Sequence, residues 1–418
     1  MNRRQFLKLT AAGGLYFSFG LDTSPTSAKP PSSILEPWRP GTLDIHHLAY
    51  GRGSSTFILG PDGTTLLIDA GTTPDSVSLS CAQHPNTGER PGEWIASYIL
   101  RQMRPAGRAE LDFALITHIH PDHLGDPGQD SPLSSTGEYH LTGIADVDAR
   151  VPITTLIDRC FPGYDYPAPL DTLFARNYID FVKSRISPRK STERIKVGSA
   201  DQIRLLRNPK RYPDFKIRNL AANGEVWTGV DQNTRRLFPD LRSLEKSDYP
   251  TENMCSIAIR LSYGRFDYFT GGDLTSDTEE SGEPWRDIET PVANAAGPVE
   301  VAVANHHGYF DAVGPNFVKA LRPQVFVIPA WYVAHPAILP LRRMLSQHIY
   351  DGDREVYATC VMEANRAVNN QFIGKLKSTE GHIIVRVAPG GEQFQVVVTD
   401  NSNDSDTIKL ISSPHRCR

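Results

Sequence analysis

The chain contains the stretch His118-Ile119-His120-Pro121-Asp122-His123, which places four potential metal ligands within six residues. His118 and His120 are two positions apart, so in an extended backbone their side chains point to the same side. Pro121 then turns the chain and lets Asp122 and His123 face a second point. Two nearby cations in such a cluster suit hydrolysis, because they lower the pKa of a shared water and stabilise the attacking and leaving oxygens. The stretch therefore predicts a metal site.

Apolar segments that read as strands lead directly to this cluster and to other polar residues. Residues 111–117 form a short apolar run that predicts a buried strand ending at His118. Four more predicted strands end at candidate residues: 64–68 before Asp69, 266–270 before Asp273, 299–304 before His306-His307, and 325–329 before His335. Rigid scaffolds usually place ligand-binding groups on loops at strand ends. Strands and predicted helices alternate along the chain, which indicates an α/β fold.

Together these segments resemble the metallo-β-lactamase-fold hydrolases. Within that superfamily they are most similar to the competence-type branch, whose members include the extracellular domain of bacterial DNA-uptake proteins. The matching stretches follow the family's order: Gly51-Arg52-Gly53, Leu66-Leu67-Ile68-Asp69-Ala70-Gly71, Ile116-Thr117-His118-Ile119-His120-Pro121-Asp122-His123, Phe269-Thr270-Gly271-Gly272-Asp273-Leu274, Asn305-His306-His307-Gly308 and His335-Pro336. The resemblance implies an α/β fold of four layers, an αββα sandwich, with an insertion.

The resemblance also implies a dinuclear metal centre in which a metal-bridging hydroxide is the nucleophile. In this scheme His118 and His120 bind the first metal. Asp122 and His123 bind the second metal, and Asp273 bridges both. Asp122 and Asp273 are therefore the predicted catalytic carboxylates.

Four further residues have roles in this scheme. His306 or His307 would complete the second metal, and His307 is favoured because the ligand in relatives often precedes glycine. Asp69 would accept hydrogen bonds that hold the histidine loop, although an aspartate before Ala-Gly also suits a simple turn. His335 lies either at the rim of the site or on the surface.

One element of the family pattern is missing. Most members supply a third histidine to the first metal just before the strand that leads to the bridging aspartate, but this chain has no histidine between His140 and His306. The family position falls on or beside Glu252. Glu252 could donate a carboxylate oxygen instead, His140 could swing in from its loop, or the first metal could bind weakly through two histidines. The first interpretation is favoured because the position matches.

The ligand chemistry predicts two divalent cations, zinc first, with manganese or iron as alternatives because an aspartate bridge and a glutamate favour harder metals. The predicted activity is hydrolysis of a phosphodiester or other ester-like bond in a small-molecule or envelope-derived substrate, since two metals with an oxygen bridge suit phosphoryl oxygens. The alternatives are a lactone or amide hydrolase, an iron-dependent oxidoreductase of the same fold, and a non-catalytic binding protein with a degenerate site.

The N-terminus predicts export. It reads Met1-Asn2-Arg3-Arg4-Gln5-Phe6-Leu7-Lys8, and paired arginines followed by Phe-Leu-Lys resemble a twin-arginine signal. The weakly apolar segment that follows is too short and too rich in glycine for a stable membrane span. Small residues at 26–28 suit cleavage after Ala28. We therefore expect residues 1–28 to be a signal peptide that directs the protein to the periplasm or out of the cell.

Composition divides the rest of the chain. Residues 29–41 are rich in Pro and Ser, which predicts a linker. Residues 42–400 are expected to form the folded domain, with an insertion at about 125–250. Residues 401–418 are polar and are expected to be a frayed tail. The 418 residues carry a net charge of -4, and no basic run marks a nucleic-acid surface. The five cysteines lack CxxC spacing, which disfavours a structural zinc cluster. Disulfide pairing and oligomeric state stay open.

Overall fold

The structure is a computed structural model that describes residues 33–73, 78–128, 131–185, 187–276 and 282–418. The predicted signal peptide, residues 1–28, and the start of the predicted linker lie outside these residues. Eight α-helices occur in the described ranges: α1 (Pro91–Met103), α2 (Pro121–Leu124), α3 (Ile144–Arg150), α4 (Leu173–Ser184), α5 (Glu289–Ala296), α6 (Pro315–Leu321), α7 (Ile338–Met344) and α8 (Glu363–Ile373). The longest, α1, has 13 residues, and none of the described helices is a candidate membrane span.

One of two β-sheets is built mainly from the first half of the chain and its C-terminal end. It contains ten strands among the described residues: β1 (Leu43–His47), β2 (Thr56–Leu59), β3 (Thr65–Ile68), β4 (Leu111–Leu115), β5 (Ile153–Asp158), β6 (Ser191–Arg194), β15 (His382–Val387), β16 (Gln393–Thr399), β17 (Ile408–Ile411) and β18 (His415–Arg416). Their order is β17-β16-β15-β1-β2-β3-β4-β5-β6, with β18 beside β16. Strands β3 to β6 are parallel.

The second sheet comes from the middle of the chain. It contains eight strands of the described ranges: β7 (Phe215–Ala222), β8 (Glu225–Trp227), β9 (Thr234–Arg236), β10 (Ala258–Tyr263), β11 (Phe266–Thr270), β12 (Val301–Val303), β13 (Val325–Ile328) and β14 (Glu355–Ala358). Their order is β14-β13-β12-β11-β10-β7-β8-β9. Strands β11 to β14 are parallel.

The side chains of β4 show how the layers are formed. Phe113 and Leu115 belong to a core that lies between the two sheets and also contains Leu261 of β10. Ala114 points to the opposite face, because successive side chains of a strand alternate, and belongs to a core that contains Ile99 of α1. Helices α5 to α8 cover the outer face of the second sheet through a third core. The layers are therefore helix, sheet, sheet and helix, which confirms the predicted αββα sandwich.

The predicted C-terminal tail, residues 401–418, is wrong. Strands β17 and β18 extend the first sheet by pairing with β16. Leu410 packs against the core between the sheets, and the Cys417 side chain is buried. The polar composition of residues 401–418 concealed these short strands from the sequence prediction, because a strand at a sheet edge needs apolar side chains only at every second position.

The two other predicted boundaries also change. Within the predicted linker, residues 29–41, the side chains of Leu35 and Trp38 are buried. The N–H of Leu35 donates to the Asp406 carbonyl at 3.0 Å, so the chain is packed well before residue 42. The segment predicted as an insertion, about 125–250, supplies β5 and β6 to the first sheet and β7 to β9 to the second. It therefore builds the sandwich itself.

A disulfide bond joins Cys81 to Cys360, with their Cα atoms 6.6 Å apart. It ties the segment before α1 to the segment after β14. The Cys81 N–H also donates to the Trp331 carbonyl at 2.7 Å, which links the same segment to the loop after β13. The bond spans 279 residues of sequence, and a cross-link over so long a loop stabilises a fold by restricting the unfolded chain.

We expect the double variant Cys81→Ser/Cys360→Ser to lose about 2–4 kcal/mol of unfolding free energy, because the unfolded chain regains the freedom that the bond removes. Urea unfolding measures this loss. Wild-type protein in reductant should unfold like the double variant, and reductant should leave the double variant unchanged. Five titratable thiols in denatured, unreduced protein would contradict the pairing.

Candidate metal centre

The candidate ligands lie on loops that leave the carboxyl ends of parallel strands. Both sheets contribute: Asp69 follows β3, His118 to His123 follow β4, Asp273 follows β11, His306 and His307 follow β12, and His335 follows β13. Open α/β sheets bind ligands at such strand ends. The contacts described below join loops of the first sheet to loops of the second, so the site lies at one end of the sandwich.

Four side chains converge closely enough to hold one metal ion. Asp122, His123, Asp273 and His307 each offer a ligand atom, and these atoms all lie within 4.8 Å of one another. His123 Nε2 lies 3.2 Å from Asp273 Oδ1, and His307 Nε2 lies 2.9 Å from Asp122 Oδ2. The structure thus brings together the residues that the sequence assigns to the second metal.

The two remaining histidines of the motif meet beside the same aspartate. His118 Nε2 lies 3.1 Å from His120 Nδ1 and 3.7 Å from Asp273 Oδ2. The side chain of His118 is completely buried. Asp273 Oδ1 faces His123, and Oδ2 lies near both His118 and His307, with His307 Nε2 at 3.5 Å, so the carboxylate contacts both predicted ligand sets.

Asp69 holds the histidine loop. Its carboxylate accepts hydrogen bonds from the Thr117 N–H and hydroxyl, each at 2.8 Å, and Asp69 Oδ2 lies 2.8 Å from His123 Nδ1. A carboxylate on one ring nitrogen of a histidine leaves the other nitrogen for a metal. Asp69 also has a φ of 58°, so the turn and the hydrogen-bonding role expected from the sequence coincide in one residue.

The charges at the site suit a divalent cation. Burial alone would raise the pKa of Asp273, but His123 and His307 in particular outweigh burial and hold this pKa well below its usual range. Burial alone would lower the pKa of His307, but Asp273 and Asp122 outweigh it and raise this pKa to about 9. The buried Asp273 carboxylate and the part-buried Asp122 carboxylate thus lie among histidines that favour the protonated form, and a divalent cation can replace such protons.

The expected ligand role of Glu252 is contradicted by its contacts. Glu252 Oε1 accepts hydrogen bonds from the Ile119 N–H at 2.6 Å and from Arg159 Nε at 2.7 Å. Glu252 Oε2 pairs with Arg159 Nη2, and the Arg159 side chain is fully buried. Both carboxylate oxygens therefore accept hydrogen bonds, and the charge of Glu252 is paired with that of Arg159. Glu252 instead fixes the backbone between His118 and His120.

The contacts of His140 are with its own loop and with Asn177. Its Nδ1 lies 2.7 Å from the Ser131 carbonyl oxygen. Its backbone N–H donates to Asn177 Oδ1 at 2.7 Å, so backbone and side chain are both tied to this loop. His140 is thus engaged away from the cluster.

His335 lies at the site and not on the surface. Its ring is buried and stacks on the His307 ring, with centroids 4.8 Å apart and an interplanar angle of 18°. The indole of Trp331 packs edge-on against both rings. His307 Nδ1 also lies 2.9 Å from the Pro329 carbonyl oxygen, which fixes the ring from the β13 side.

Several residues of the site gave no recognisable signal in the sequence. Arg159 and Thr117 act through Glu252 and Asp69, and their roles depend on partners that are distant in sequence. Asp311 follows β12 and Trp331 follows β13. Their only signal in the sequence is that each lies four residues from a candidate histidine, His307 and His335 respectively. Their positions are visible only in three dimensions.

No family model matches the chain, and neither does any curated protein. Among solved structures, the chain is similar to a proposed metal-dependent hydrolase from Parabacteroides distasonis, at 14% identity over 76% of this chain and 92% of that one, with a TM-score of 0.34. It is also similar to human tRNase Z, short form, at 11% identity over 68% and 91%, with a TM-score of 0.28.

We expect Asp69→Asn to weaken zinc binding by about 10- to 100-fold, because His123 loses the carboxylate that orients it. Isothermal titration with zinc measures the affinity, and circular dichroism confirms that the variant is folded. The matched control is Asp240→Asn, which changes an exposed carboxylate paired with Arg242 and should leave zinc affinity unchanged. Equal affinities in the two variants would contradict the role of Asp69.

Glu252→Gln distinguishes a structural role from a ligand role. We expect the variant to lose about 3–5 kcal/mol of unfolding free energy, because Arg159 is left buried without its charged partner, while its metal stoichiometry is kept. Urea unfolding and elemental analysis measure the two quantities. The double variant Arg159→Met/Glu252→Leu should recover most of the stability. Loss of a metal ion without loss of stability would instead restore Glu252 as a ligand.

Proposed function

We propose that this protein is an exported hydrolase of the metallo-β-lactamase superfamily that uses two divalent cations to cleave phosphodiester or other ester-like bonds. One observation carries the proposal. Asp122, His123, Asp273 and His307 offer four ligand atoms within 4.8 Å of one another, and His118 approaches the same Asp273 from the motif's other ligand pair.

The ligand set is appropriate for this chemistry. Imidazole and carboxylate groups suit zinc, and also manganese or iron. Asp122, His123 and His307 would hold one cation, with Asp273 shared between it and a second cation held by His118 and His120. Bound divalent cations supply an activated water and a positive charge that stabilises negative charge developing on the scissile group.

The chain's own residues keep these ligands in place. Asp69 fixes the His123 ring, the Pro329 carbonyl fixes His307, and Glu252 fixes the backbone at Ile119. Such partners decide which ring nitrogen faces a cation and limit rotation of the ligand. His335 and Trp331 pack beside His307 and would form part of the substrate-facing wall.

The shared carboxylate favours oxygen-rich substrates. Asp273 holds the position where many β-lactamases of this fold have a cysteine, and carboxylate oxygen suits harder cations than thiolate does. A phosphodiester presents two non-bridging oxygens that a pair of cations can bind together. We therefore place phosphodiesters before lactones, amides and β-lactams.

The disulfide supports export. Disulfides persist in oxidising compartments and are rare in reducing ones. The bond between Cys81 and Cys360 is therefore consistent with the twin-arginine signal read in residues 1–28. We propose that the mature protein acts in the periplasm or outside the cell.

Elemental analysis of the natively exported protein, with hydrolysis of bis(p-nitrophenyl) phosphate on the same sample, tests the proposal. We expect about two cations per chain and turnover that a chelator abolishes. Asp273→Asn should lower turnover by more than about 100-fold, because it removes the shared carboxylate, whereas Asp240→Asn should not. One cation or none, with no turnover after zinc or manganese is added, would contradict the proposal. Iron with substrate-dependent oxygen uptake would favour an oxidoreductase.

A further inference from the structure

The predicted first metal lacks a third nitrogen ligand. His118 and His120 supply two nitrogens, and the sequence position where relatives carry the third is taken by Glu252. That carboxylate pairs with the buried Arg159 guanidinium and accepts the Ile119 N–H. A complete ligand set therefore requires a donor from another loop.

His306 is the nitrogen donor in the right position. Its Nε2 lies 3.9 Å from Asp273 Oδ2, and this is the same oxygen that lies 3.7 Å from His118 Nε2. The His306 N–H donates to the Gly272 carbonyl at 3.1 Å, which ties the residue to the loop that carries Asp273. Asp273 Oδ2 also lies 3.5 Å from His307 Nε2, so His306 is one of three histidines beside this oxygen, and its contact with Asn253 is what places it next to the position where relatives carry their third histidine.

The partners of His306 select the ring form that a metal needs. Nδ1 lies 2.7 Å from Asp311 Oδ1, so this nitrogen carries the proton and donates it to the carboxylate. The other ring nitrogen, Nε2, lies 3.2 Å from Asn253 Nδ2 and is the nitrogen left to face a cation. A carboxylate behind a histidine is the usual support of a metal ligand. Asn253 directly follows Glu252, where relatives have their third histidine.

The backbone explains how neighbouring histidines reach different ligand sets. His306 and His307 have φ values of 47° and 54°, a left-handed conformation that costs free energy for residues other than glycine. Two consecutive residues of this kind turn the chain sharply, and their ring centroids lie 6.2 Å apart. Backbone strain of this kind is concentrated at functional sites.

We propose that His306 is the third nitrogen ligand of the first metal and that Asp311 is its positioning residue. His307 binds the second metal, so the adjacent pair is divided between the two ions. This inference rests on the proposed dinuclear centre. It departs from the family pattern, because the ligand comes from the loop after β12 and not from the segment before β10.

Paired glycine variants test the assignment. Both residues have positive φ, so His306→Gly and His307→Gly remove one imidazole each while glycine accepts the backbone conformation. Cobalt titration followed by absorption spectroscopy reports the number, affinity and ligand field of the bound ions. We expect His306→Gly to bind one cobalt ion at least about 100-fold more weakly than the wild type. The ion that stays bound should have the same absorption spectrum as the ion that stays bound in His120→Ala.

Two further measurements separate ligation from a structural role. Added imidazole should restore the second cobalt to His306→Gly, because the ligand fills the vacated space. Asp311→Asn should weaken the same ion by about 10- to 100-fold and leave the other unchanged. A His306→Gly protein that binds two cobalt ions with wild-type affinity and spectrum would overturn the assignment.

The outcomes also separate this inference from the proposed function. Wild-type protein that binds fewer than two cobalt ions would contradict both. Two ions in the wild type without phosphodiester hydrolysis would contradict the proposed activity only. His306→Gly should lose the same ion that His120→Ala loses. If it instead lost the ion that His307→Gly loses, His306 would belong to the second metal and its proposed role would be overturned.

Discussion

The Asp273 carboxylate is almost completely buried, and the site is arranged around the need to compensate its charge. A buried carboxylate is costly unless positive charge or hydrogen-bond donors surround it. Four imidazoles lie within 4 Å of its two oxygens: His123 at 3.2 Å, His307 at 3.5 Å, His118 at 3.7 Å and His306 at 3.9 Å. These histidines come from the loop after β4 and the loop after β12, so one carboxylate connects both sheets. Cations that replace the protons of these histidines would satisfy the same requirement.

The sandwich brings the loops together, and a few buried polar contacts then fix them. Strand β4 is covered on both faces, which sets the position of the chain as it enters the histidine motif. Asp69 holds this loop through Thr117 and His123, and the Glu252–Arg159 pair holds it at Ile119. These buried partners hold the histidine loop in place although it lies at the end of the sheets.

Sequence patterns identified the residues whose signal is local. The strands β3, β4, β11, β12 and β13 are largely apolar, with one aspartate each in β4 and β11, as expected for parallel strands covered on both faces, and the residues at their ends were recognisable from chemistry and spacing. Glu252 was misjudged because Arg159, the partner that occupies it, lies 93 residues away. The split between His306 and His307 depends on two positive φ values that no composition rule indicates. The edge strands at the C-terminus were missed because half of their side chains are polar.

Anomalous X-ray diffraction at the zinc edge, on crystals of the full chain grown with zinc, tests the central claim most directly. We expect two peaks about 3.5–4 Å apart, one on each side of the Asp273 carboxylate. One peak should contact His123 and His307, and the other His118 and His306. A single peak would contradict the dinuclear centre, and a second peak beside Glu252 with Arg159 displaced would contradict the assignment of His306.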